Sequence, residues 1–197
     1  MLENPAASKA ALRAAALARR DALGDEARAT GNVAIARSAM NLLAGRDIAC
    51  LSGFLPIRSE CDPGPIMAAA STRGAILALP SFAGGEEMVF RRYSHGDPLV
   101  AAGFGTREPA AVAPIVSPDV ILVPLAAFDR SGTRIGYGKG HYDRTIAAMR
   151  GEGRDPFLVG LAFSVQEVDR IPGEPHDVRL DRLVTDRDVF DFSGERA

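Results

Sequence analysis

Between residues 6 and about 23 the apolar positions recur at helical spacing, with Leu12, Leu17 and Leu23 available for packing and Lys9 and Arg13, four apart, on one face. Gly24-Asp25 breaks that run, and a second amphipathic helix is expected from about 26 to 44, carried by Val33, Ile35, Met40, Leu42 and Leu43. The continuous apolar run over 48–56 predicts a buried strand. Asp62-Pro63 then opens a short helix to about 73, with proline in the first turn, where its missing N–H costs nothing. Further strands are expected from Ala75, at Met88-Val89-Phe90, over 119–124, from Phe157, and in short closing segments at 183–185 and 189–190. A helix is expected over about 141–149, whereas 96–118, punctuated by Gly and Pro, reads as a long loop and a candidate lid. Apolar strands alternating with helices predict one α/β domain, a three-layer α/β/α sandwich around a mostly parallel sheet.

Composition narrows the partners. The 197 residues are 47% hydrophobic and 24% charged, as in a globular domain. A net charge of −2 offers no general positive field for a nucleic-acid backbone, and no run approaches the roughly 20 apolar residues of a spanning helix. Neither nucleic acid nor membrane is therefore an expected partner. Cys50 and Cys61 are too few for a disulfide framework and lack CxxC spacing, which suits a reducing, cytoplasmic location. The Ala/Arg-rich start has the look of an organellar presequence, but Glu3 and Asp21 argue against one. Of the 23 basic side chains only Lys9 and Lys139 are lysines, compact ammoniums suited to act as point charges on phosphate.

Candidate chemistry concentrates in RIGYGKGHYDR, residues 134–144, between a buried strand and a helix start. Alternating Gly136, Gly138 and Gly140 let the backbone aim successive N–H groups at one anion, and the following helix adds its positive end. Arg134 and Lys139 bring formal charge to the same place. The spacing is neither a Walker A loop nor a dinucleotide fingerprint, and a purely structural turn is the other reading. Asp143 is placed to hold Mg²⁺ against phosphate oxygens, or only to favour the helix start; Tyr142 offers a ring and a hydroxyl, or core packing. Glu60, at the end of the first strand, stands on the sheet's carboxyl edge or is simply a solvated acid. The histidines lack zinc spacing, no GxSxG elbow occurs, and Asp129, Asp177 and Asp181 carry no signal alone.

These residues together resemble the 5-formyltetrahydrofolate cyclo-ligase family, also called 5,10-methenyltetrahydrofolate synthetase. The resemblance runs nearly end to end: the helix with Lys9 and Arg13, Leu55 with Glu60, Met88-x-Phe90, Glu108-Pro109, the block DVILVPLAAFDRSGTRIGYGKGHYDR and the tail VGLAFSVQEVDRIPGEPHDVRLDRLVT. It implies ATP- and Mg²⁺-dependent conversion of 5-formyltetrahydrofolate to 5,10-methenyltetrahydrofolate by a monomer, the folate being a small-molecule substrate with or without a polyglutamate tail. Carried over by position, Lys9, Arg13, Arg134, Ile135, Gly136, Tyr137, Gly138, Lys139, Gly140, His141 and Tyr142 look like nucleotide contacts. Among them Lys9, Arg13, Arg134 and Tyr142 look catalytic. Leu55, Glu60 and residues 137–141 look like folate contacts, and Asp143 and Asp181 like the Mg²⁺ ligands. His141 stands where many members carry Tyr or Phe, and Lys139 where many bacterial members carry Gly. A non-catalytic folate- or nucleotide-binding protein on the same fold is the alternative; an isomerase or transferase on a related sheet would need no ATP.

Overall fold

The computed structural model describes residues 5–82, 87–103 and 106–195. In chain order the helices are α1 (Pro5–Asp21), α2 (Asp25–Leu43), α3 (Gly64–Thr72) and α4 (His141–Gly151). The strands are β1 (Cys50–Ser52), β2 (Ile76–Ser81), β3 (Val89–Tyr93), β4 (Leu99–Ala101), β5 (Arg107–Pro109), β6 (Val120–Pro124), β7 (Ala127–Phe128), β8 (Arg134–Ile135), β9 (Phe157–Leu161), β10 (Arg182–Val184) and β11 (Val189–Asp191). Seven of them form one sheet in the order β11-β10-β9-β6-β1-β2-β3. The five inner strands are parallel, and β3 and β11 close the edges antiparallel. The strand order reverses between β1 and β6, so loops leaving the carboxyl ends of these two strands diverge and open a crevice.

Alternation along the strands feeds two cores. Leu51, Leu79, Leu122 and Val159 turn toward Ile35 of α2 and Ile66 of α3. Their neighbours Cys50, Ala78, Ile121 and Leu158 turn the other way, toward Ile146 and Met149 of α4. Burying each large aliphatic side chain contributes about 1.5–3 kcal/mol, which makes the central strands apolar on both faces. Gly160 in β9 is required by close approach: a Cβ there would sit 2.5 Å from Leu180 Cδ1 and 2.8 Å from Leu183 Cδ1. The predicted three-layer, mostly parallel architecture is what the chain adopts.

Three local expectations change. The predicted strand over 48–56 pairs only at Cys50–Ser52; beyond it Gly53 N–H still reaches Ala78 O, but Phe54 and Leu55 pack as loop residues. The stretch 96–118 is not structureless. It holds the β4–β5 hairpin, and its later part lies along the sheet edge, where Arg92 N–H donates to Pro114 O and Val116 N–H to Phe90 O. An edge strand offers unpaired backbone groups, and this segment takes them. The third difference is the β7–β8 hairpin, two residues per strand and too short to show a period. Helix α1 packs on that hairpin through Ala16, Ala127, Ile135 and Ile171, which sets its polar face beside the glycine-rich turn.

Candidate functional site

The turn after β8 is shaped by backbone conformation. Gly138 (φ 90°) and Gly140 (φ 62°) lie in the left-handed region that favours glycine. Gly140 precedes α4 without any side-chain cap, so the first amides of that helix, from His141 to Asp143, keep their donors for another acceptor. At Gly136 a Cβ would meet nothing within 4 Å, so packing does not demand glycine there and the backbone is open to close approach.

Arg13 of α1 meets Arg134 at this turn, and Lys9 is held on the adjoining tail segment. Arg13 Nε donates to Gly136 O at 2.7 Å, and a Cβ at Gly138 would lie 3.4 Å from Arg13 Nη2. Arg134, with only 4% of its side chain exposed, donates to Val178 O and pairs with Asp143 Oδ1 at 2.8 Å. Lys9 Nζ is held by Glu174 Oε2 at 2.5 Å and Asp177 Oδ2 at 2.7 Å. Burial by itself would lower the lysine's pKa; its hydrogen bonds to Asp177 and Glu174, with the charges of those acids, outweigh that and hold it above its ordinary value. Lys9 and Arg134 thus bond to consecutive residues of the tail segment, Asp177 and Val178. Sequence reasoning missed both acids of the Lys9 clamp, because an acid's partner 168 positions away leaves no trace in local spacing.

Glu60 forms the other pole. It is 8% exposed; Tyr137 O–H donates to its Oε1 at 2.5 Å and Ile57 N–H to its Oε2 at 2.9 Å. Burial raises its pKa above the usual carboxylate value, although Tyr137, Ile57 N–H and Arg20 each pull it down. Burial also pushes the Tyr137 hydroxyl up, so it stays protonated as a donor.

The family model described as the 5-formyltetrahydrofolate cyclo-ligase family matches residues 5–186. The chain belongs to that family. A Mycolicibacterium smegmatis 5-formyltetrahydrofolate cyclo-ligase is 34% identical over 152 residues, covering 73% of this chain and 75% of that one. The Escherichia coli protein of the same name is 32% identical over 146 residues, covering 71% and 79%. Among solved structures, the Aquifex aeolicus 5,10-methenyltetrahydrofolate synthetase superposes with a TM-score of 0.79 at 30% identity, covering 96% of this chain and 95% of that one.

Within this cyclo-ligase fold the remaining predicted residues take varied positions. Leu55 packs half-buried against the α2–α3 core, and Ile135 is buried beneath the turn. Lys139 lies on the exposed tip, its carbonyl accepting from Arg144 at 2.8 Å. His141 meets Phe82 edge-to-face at 4.5 Å, and burial, Arg144 and Lys139 lower its pKa, favouring the neutral ring. Tyr142 points inward near Phe90, its hydroxyl buried without a hydrogen-bond partner among the described residues. Asp143 takes both its bonds, from Arg134 and Val178 N–H, on Oδ1, leaving Oδ2 for a hard cation. Asp181, 1% exposed, accepts Leu158 N–H at 2.7 Å where β9 and β10 begin. Asp143 thus keeps one carboxylate oxygen of the hard type Mg²⁺ takes, and Asp181 gives its Oδ2 to the sheet. No helix among the described residues is long and apolar enough to cross a membrane.

Proposed function

We propose that the protein is an ATP-dependent 5-formyltetrahydrofolate cyclo-ligase that closes 5-formyltetrahydrofolate to 5,10-methenyltetrahydrofolate, releasing ADP and phosphate. The observation that carries this is the meeting of Arg13 and Arg134 at one glycine-rich turn whose helix start has no side-chain cap, with Lys9 clamped on the tail segment that Arg134 also bonds. That is a cradle for a phosphate chain, and the family supplies the formyl folate. Free, buried Cys50 and Cys61 suit a reducing cytoplasm.

A formamide oxygen is a poor leaving group. Transfer of the γ-phosphoryl group to it gives an imidate phosphate; N10 then attacks the activated carbon, and the C–O bond breaks as phosphate leaves. Such transfer needs positioning and charge neutralisation more than a protein nucleophile. Lys9 and Arg13 hold the phosphate chain from α1, Arg134 and the amides of residues 136–142 hold it from the turn, and Glu60 accepts N–H groups of the reduced pterin. Leu55 packs against the folate ring, and Tyr142 closes the floor. Mg²⁺, when bound at Asp143, neutralises phosphate oxygens.

With ATP, Mg²⁺ and 5-formyltetrahydrofolate, ADP and the near-ultraviolet absorbance of the methenyl product should rise together. ATP and folate binding with neither product would instead make the protein a non-catalytic binder. A second measurement isolates Lys9. Removing one charge-assisted contact to phosphate costs about 1.5–3 kcal/mol, so Lys9→Met should raise the KM for ATP about tenfold or more and leave the KM for the formyl folate unchanged. The reverse pattern would move Lys9 to the folate side.

A further inference from the structure

Arg20 is the largest side chain among the described residues to be enclosed, at 1% exposure, and the resemblance gave it no role. Among the described residues its guanidinium hydrogen-bonds two hydroxyls and no carboxylate: Nε donates to Ser59 Oγ at 3.0 Å and Nη1 to Tyr137 Oη at 3.1 Å. Arginine cannot accept a hydrogen bond and does not lose its proton, so each hydroxyl must receive from Arg20 and turn its own hydrogen elsewhere. Ser59 turns it to Asp21 Oδ1, and Tyr137 turns it to Glu60 Oε1. One buried cation therefore orders two parallel relays, each ending on a carboxylate. Chains of this kind polarise one another and strengthen in a low-dielectric interior.

We propose that Arg20 is a positioning residue for substrate recognition: through Tyr137 it locks the Glu60 carboxylate as a pure hydrogen-bond acceptor toward the N–H donors of the pterin, while Ser59 anchors the same guanidinium to Asp21 at the end of α1. The relay joins the end of α1, the loop carrying residues 57–60 and the glycine-rich turn, the three segments that must hold register for folate and phosphate to meet. It rests on Glu60 being the folate contact. The charged and titratable groups around Glu60 are Arg20 on α1, Tyr137 on the turn, Tyr142 on α4 and Cys61 on its own segment. Of these Arg20 is the sole fixed cation, so its loss favours protonated Glu60.

The test compares Arg20→Met, Tyr137→Phe, their combination, and Glu60→Gln, each by steady-state kinetics in both substrates and by the pH profile of kcat/KM for 5-formyltetrahydrofolate. Tyr137→Phe removes only a hydroxyl from a ring that is itself partly exposed, so its folding is secure even if Arg20→Met folds poorly. Loss of a hydrogen bond to a charged group corresponds to about a tenfold effect, and Tyr137→Phe should raise the folate KM by that factor with the ATP KM unchanged. The acid limb should move to higher pH in both single variants, and the double variant should be no worse than Arg20→Met, because the two act in series. If Glu60→Gln raises the folate KM but Tyr137→Phe moves neither that KM nor the acid limb, the positioning role of Arg20 is wrong and Glu60 keeps its place. If Glu60→Gln leaves the folate KM untouched, Glu60 is not the folate contact and the relay has no catalytic meaning.

Discussion

Arg134→Ala should suppress turnover by about a hundredfold or more, the scale on which a preorganised electrostatic contact to a reacting group contributes. It should also destabilise the fold. The substitution removes the cation of an almost buried pair and leaves Asp143 Oδ1 with only Val178 N–H, while Val178 O loses its donor. Breaking a buried pair from one side costs about 3–5 kcal/mol, and the partly exposed Asp143 places this case near the lower end. At about 2–4 °C per kcal/mol for a domain of this size, the melting temperature should fall by roughly 6–12 °C. Thermal melts and kinetics below the lowered transition separate the two effects. Arg134→Lys keeps the charge without the planar fork, so it should recover part of the stability and little of the rate. Near-normal turnover in a folded Arg134→Ala protein would remove this residue from the phosphate cradle.

Asp129→Ala should be at least as damaging, although Asp129 touches nothing in the proposed site. Its carboxylate is 2% exposed and accepts from four donors: Ser131 N–H at 2.9 Å, Ser131 O–H at 2.6 Å, Thr133 N–H at 3.3 Å and Ile171 N–H at 2.8 Å. Three of these close the turn of the β7–β8 hairpin, and the fourth ties that hairpin to the tail segment. Two of the four bonds, those from Thr133 N–H and Ile171 N–H, are buried; at about 1–3 kcal/mol for each buried donor left unsatisfied, alanine should cost about 2–6 kcal/mol. Asparagine keeps one oxygen but faces an N–H₂ against donors, and should fall between. Because β8 begins at Arg134, the alanine variant should also lose ATP-dependent turnover at temperatures where it remains folded. Chemical denaturation would measure the first effect and the KM for ATP the second. An Asp129→Ala protein of unchanged stability would mean that the hairpin is held by packing alone.

Much of this was legible in the chain. The apolar runs at 76–81, 120–124 and 157–161 are long enough, and apolar enough on both faces, to specify central parallel strands without help from partners. The alternating glycines at 136, 138 and 140 marked the turn, since positive φ at two of them is a demand that local sequence can express. Elsewhere local pattern was silent or misleading. The run over 48–56 looks like one long strand because apolar loop residues and strand residues read alike. The stretch 96–118 looks like a loop because its ordering comes from the edge of β3.

The sequence by itself determined the layered α/β class, the glycine turn with Arg134 beside it, and, through its resemblance, the family. Tertiary structure alone decided which side chains meet: Lys9 with Glu174 and Asp177, Arg20 with Ser59 and Tyr137, Asp129 with Ile171, and Asp143 with Arg134. The reason is physical. Periodicity and turn chemistry act over a few residues and leave a local signature. A buried charge must find its partner wherever the packed chain brings one, at separations such as the 168 positions between Lys9 and Asp177.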